Sequence, residues 1–151
     1  MIRDEQILAT LKEEWHALRR SQGRLQAYIT ASFASGAWFL PQIADEIYAL
    51  LLPFGFSVLE HVLQQMGQEG TFACRSSWLN QMMLASRTTA GLWSNYEAVD
   101  AGRQVRNKLT HEQVIPSHAD TLRILDDIER ELIGWNVLNG PVSYKFTLSS
   151  G

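Results

Sequence analysis

The residues that carry the most chemistry in the shortest span are Arg106-Asn107-Lys108-Leu109-Thr110-His111. A guanidinium presents a planar fork of donors that matches phosphate oxygens, and an imidazole moves protons near neutral pH. Cleaving RNA without a metal requires a base for the ribose 2′-hydroxyl, an acid for the leaving 5′-oxygen, and positive donors for the charge that develops on the phosphoryl group. One Arg and one His supply half of this set. Two copies facing each other across a dimer axis supply all of it, so the residues predict a composite site in a homodimer cleft. Within each copy His111 takes the proton-transfer role, Arg106 stabilises phosphate charge, and Asn107 orients the imidazole from one turn away. Arg103, Lys108 and Arg87 are further candidates for contacts to the substrate backbone. The same run also has a purely structural reading, because cations in a last helical turn offset the partial negative charge of exposed carbonyls.

Positioning these groups falls to a series of amphipathic helices. Leu8, Leu11, Trp15, Leu18, Leu25 and Ile29 recur at spacings of three and four and predict a long helix from Asp4 to Thr30. The stretch from Ala31 to Pro41 either extends it or turns. Pro41 suits the first turn of a second helix, and Pro53-Phe54-Gly55 predicts a kink or break after it. Ser57 with Glu60, and Ser94 with Glu97, have capping-box spacing and predict helix starts, the second opening the helix that ends in the Arg106–His111 run. On that helix Ala98, Ala101, Val105 and Leu109 form the expected core stripe, with Arg106 flanking it. Trp78, Leu79, Met82 and Met83 mark an intervening helix. Ser117 and Asp120 cap the last one, whose seam is Leu122, Leu125, Ile128, Leu132 and Trp135. After the Asn139-Gly140-Pro141 turn, Val142, Tyr144, Phe146 and Leu148 alternate with polar residues, which reads as one strand that pairs with a symmetry mate or docks as an extended tail. The expected fold is all-α: an up-and-down bundle of five or six helices over residues 1–138, with a short strand-like tail over 139–151.

Composition narrows the function classes. With 151 residues, 46% hydrophobic and 19% charged, the chain suits one globular domain, and its net charge of -3 argues against coating long nucleic acid through a global positive field. The charge is uneven: residues 75–108 carry a local balance of +3 on an acidic remainder, which suits a confined phosphate site. No uninterrupted apolar run approaches the roughly 20 residues that span a bilayer. The charged start Met1-Ile2-Arg3-Asp4-Glu5 has no apolar signal region behind it, so the expectation is a cytoplasmic protein without a membrane anchor. The single Cys74 excludes an intramolecular disulfide, and His16, His61 and His118 lack metal-ligand spacing, so neither metal nor cofactor is expected. Ser76, Ser77 and Ser94 are explained as helix caps, Gly67-Gln68-Glu69-Gly70 lacks the spacing and Lys of a phosphate loop, and Trp15, Trp78 and Trp135 are assigned to the core.

Arg106 and His111 separated by four residues, with Asn107 directly after the Arg, match the motif of the HEPN superfamily of small helical domains, and the chain resembles that family most between about Phe54 and Trp135. An Arg-Asn-x3-His run arises in roughly one in a hundred shuffled chains of this composition. The resemblance implies a helical bundle that dimerises with two motifs facing one cleft. In many members it also implies metal-independent endoribonuclease activity in toxin–antitoxin, phage-defence or RNA-processing settings, with RNA as substrate and an antitoxin as a possible partner. Other members only bind nucleotides, RNA or protein partners, and this non-catalytic role is the alternative. The Tyr that often follows the His by two positions in the toxin branch is Gln113 here.

Overall fold

The computed structural model describes residues 1–34 and 41–147. Among these residues there are six helices and no strand: α1 (Glu5–Ala34), α2 (Pro41–Ala49), α3 (Leu51–Gln68), α4 (Leu79–Arg87), α5 (Tyr96–Glu112) and α6 (His118–Gly134). This is the expected all-α bundle.

Side chains take up first-turn amides at the starts of α1, α5 and α6. Asp4 Oδ1 accepts from Gln6 N (3.0 Å) and Ile7 N (3.1 Å), which fixes the start of α1. The helix runs past Thr30 to Ala34; residues 35–40, including Trp38, lie outside the described residues. Helices α2 and α3 are separated by Leu50 alone. The break therefore precedes Pro53, which occupies the first turn of α3, where its missing N–H has no helical partner to lose. Ser57 sits inside α3 and starts nothing, so the capping-box reading of Ser57 and Glu60 is corrected.

Helix α3 is the axis of the bundle and touches all five others. Its residues Leu52, Phe56, Leu59, Val62, Leu63 and Met66 are fully buried, and against them pack Trp15 of α1, Met83 of α4, Val99 of α5, and Ile124, Leu125, Ile128 and Leu132 of α6. Within Ile43–Gln68 an 18-residue window reaches a mean hydropathy of 1.4, enough by length and composition to cross a bilayer, but 56% of that window is buried inside the bundle. Central position, rather than a lipid environment, accounts for its apolarity.

Two buried acids tie distant parts together. Glu131 accepts from Ser94 N (2.9 Å) and Asn95 N (2.7 Å), which holds the loop before α5 against α6. Asn95, not Ser94, then caps α5 by accepting from Ala98 N (3.1 Å). Trp93 packs edge-on against Trp135 (4.8 Å between centroids) and donates to Ser86 Oγ (2.9 Å). Glu129 accepts from Trp15 Nε1 (2.6 Å), Arg19 Nε (2.8 Å) and Val142 N (3.1 Å), joining α1, α6 and the C-terminal segment. Arg19 also reaches Gln22 and Asp126. The Ser117 cap holds as expected, accepting from Asp120 N (3.1 Å).

Residues 141–147 form no strand and lie against α1. Tyr144 Oη lies 2.7 Å from His16 Nδ1, and the guanidinium groups of Arg20 and Arg24 sit over the rings of Tyr144 and Phe146. Gly23 permits this approach, since a Cβ there would lie 2.5 Å from the Tyr144 carbonyl oxygen. This alternating segment has no ladder partner among the described residues, and its aromatic side chains dock it instead. Leu148 and the residues after it lie outside the described residues.

Candidate functional site

Helix α5 carries the site, and its phase differs from the expected one. The buried residues are Val99 and Gly102; Ala101 is exposed, and Ala98 and Val105 are only partly covered. At 100° per residue, Arg106 lies within about 20° of Val99 and so belongs to the core-facing stripe rather than flanking it. Gly102 brings that stripe close to α6: a Cβ there would meet Ile124 Cγ2 at 2.6 Å. One turn on, the Arg106 guanidinium lies over the Phe56 ring, 5.6 Å from its centroid.

Arg106, Asn107, His111 and Arg103 converge on one cavity of about 440 Å³, completed by Glu60 from α3 and by Ser77, Trp78, Leu79 and Asn80 at the start of α4. The sequence-predicted trio thus shares a pocket, and Arg103 joins it. Lys108 is exposed and outside this lining. Arg87 is also elsewhere: it pairs with Glu97 and stacks over Tyr96 at the opposite end of α5. Neither is brought to the site.

Arg106 forms no ion pair, and its Nε is buried with no hydrogen-bond partner among the described residues. Burial pushes its pKa down; the carboxylate of Glu60 opposes that shift and Arg103 adds to it. The group nonetheless stays cationic, as guanidinium groups in proteins do. Arg103 is partly committed, with its Nε 2.8 Å from Asp100 Oδ1. Neither Asn107 nor His111 makes a side-chain hydrogen bond among the described residues, so the expected Asn107-to-imidazole link is not formed there.

The N-terminus of α4 adds a second source of positive potential. Trp78 is its cap residue and supplies no capping side chain, and the amides of Leu79 and Asn80 find no acceptor among the described residues. Unsatisfied first-turn amides and the helix dipole together favour an anion. Trp78 itself is 75% exposed, which corrects its assignment to the core. As the residue before the first helical turn it does not follow the phase of the Leu79, Met82 and Met83 stripe. Glu60, Trp78 and the α4 amides are the lining groups that sequence reasoning missed. None of them left a trace in the sequence, where Ser76 and Ser77 read as caps; the cap position of α4 is Trp78, and that reading is corrected.

The other histidines have structural partners. His61 Nδ1 is 3.2 Å from Glu14, and His118 reaches Asp45 through both its backbone amide (2.7 Å) and Nδ1 (2.8 Å). A larger cavity of about 620 Å³ lies between α1, α6 and the C-terminal segment, but its buried charges, Arg19 and Glu129, already pair with each other.

Comparison with family models, curated proteins and solved structures returns no match to this chain. The functional reading therefore rests on the site's own chemistry.

Proposed function

We propose that the chain is a HEPN-like, metal-independent endoribonuclease whose α3–α4–α5 cavity binds the scissile phosphate of RNA. One observation carries this reading: Arg106 stands in a core-facing position with a buried donor and no protein acceptor, beside a second arginine, an imidazole and the uncapped start of α4. A phosphate oxygen in the cavity would accept from the terminal nitrogens of the guanidinium, which have no acceptor among the described residues. In this reading Arg106 and Arg103 stabilise phosphate charge, and His111 moves a proton. Glu60 is a second group in the cavity able to exchange one, and a second copy across a homodimer cleft would double the set. The work would take place in the cytoplasm, in the toxin–antitoxin or defence setting that the resemblance implies.

The test is RNA cleavage by purified protein in the presence of a chelator. Products ending in a 2′,3′-cyclic phosphate are expected, and His111→Ala should slow cleavage about 10²- to 10⁴-fold while the protein stays folded. Unchanged cutting by the His111→Ala protein would end the assignment. A second reading, a non-catalytic module holding a nucleotide, RNA or partner protein in the same cavity, is favoured by the lack, among the described residues, of any group that orients the His111 imidazole. Binding of RNA without cleavage across a broad panel would select it.

A further inference from the structure

We infer that Trp78 is a base-stacking platform, so that the cavity takes an unpaired nucleotide as a unit, with its phosphate on Arg106 and its base flat on the indole. This rests on the phosphate reading of the same cavity and adds the part of the ligand that a bare anion lacks.

Three observations point to it. Trp78 is the most exposed large hydrophobic residue among the described residues, at 75%, although the chain buries Trp15 and Trp135 almost completely. It lines the same cavity as Arg103, Arg106, Asn107 and His111, so apolar ring and positive charge occupy one recess. Its backbone is fixed from both sides: its amide donates to Ser76 Oγ (3.1 Å) and its carbonyl accepts from Met82 N (2.9 Å). The main chain that carries the indole is thus anchored beside the cavity, and the described residues leave three quarters of Trp78 uncovered.

The chemistry of a nucleotide matches this pairing. Its phosphate needs cationic donors, and its base has an apolar π-face that stacks on an aromatic side chain whatever the base identity. A base already stacked within a duplex has no free face, so the cavity selects unpaired strands. Glu60 and the Asn80 and Asn107 amides line the same space and can take up polar edges of the ligand.

The experiment uses a single-stranded 2′-O-methyl hexanucleotide, which cannot be cleaved through the 2′-oxygen, and an abasic oligomer of the same backbone length. Wild-type protein should bind the base-bearing strand about five- to a hundredfold more tightly than the abasic one. Trp78→Ala should abolish that preference while leaving abasic binding unchanged, Trp78→Phe should keep most of it, and Arg106→Ala should weaken both strands. Full preference retained by Trp78→Ala would overturn the inference while leaving the phosphate site standing. So would a Trp78→Ala protein that changes only in its sedimentation, because the ring would then belong to a protein interface. Failure of the wild type to bind either strand at low salt would remove the phosphate reading and the platform with it.

Discussion

Arg19 and Arg106 are both arginines on the inward side of a helix, and the protein treats them in opposite ways. Arg19 is 4% exposed and bonds Glu129, Asp126 and Gln22. Arg106 has a buried Nε with no acceptor among the described residues and an aromatic ring beneath its guanidinium. A buried guanidinium whose three nitrogens are all bonded ties helices together, whereas a buried donor left without an acceptor costs stability. The two regions teach that a buried cation is diagnostic through its partners, not through its burial.

The largest effect that can break this contrast is on the structural side. Glu129→Ala strands Arg19 and Trp15 Nε1 without their shared carboxylate and frees the C-terminal segment at Val142, so chemical denaturation should report a loss of about 3–5 kcal/mol. A loss well under 1 kcal/mol would mean that this cluster is no more structural than Arg106. Next comes a change that touches both regimes. Gly102→Val places a branched side chain against Ile124 and Phe56, which should cost about 1–3 kcal/mol and lift the next turn of α5, including Arg106, away from α3. Cleavage or RNA binding should fall further than stability alone explains.

The smallest effect lies at the periphery. The backbone amide of His118, and then its ring, hold the Asp45 carboxyl below the usual carboxylate range. Gln65, and then the Arg3 amide, do the same for Glu69. Carboxyls whose pKa is depressed by folding contribute stability above their unfolded values and lose it as pH falls through the folded ones, so thermal scans should show a decline below about pH 4. Asp45→Asn and Glu69→Gln should flatten that decline without altering the site.

Much of the fold was legible because it follows from local periodicity. The α6 seam, the Ser117 cap and the long α1 needed only spacings of three and four. What failed was local pattern with more than one solution. Ser-x-x-Glu occurs at Ser57 in mid-helix and at Ser94 one residue before the true cap, and on α5 the small residues Ala98 and Ala101 imitate a core stripe as well as Val99 and Gly102 fill one. Convergence of Arg106, Asn107 and His111 was readable because they share one helix. Glu60 and Trp78 were not, since only the packing of α3 and α4 against α5 brings them to the cavity. The buried Glu129 and Glu131 were hidden for the same reason, their partners lying 114 and 37 residues away.

The most direct test compares the unfolding free energy of the wild type with that of Arg106→Met, which keeps an apolar stem near Phe56 and removes the idle donor. Equal or greater stability, together with loss of RNA cleavage or binding, is the predicted result. A loss of several kcal/mol in the absence of any ligand would show that Arg106 serves the fold as Arg19 does, and would contradict the account.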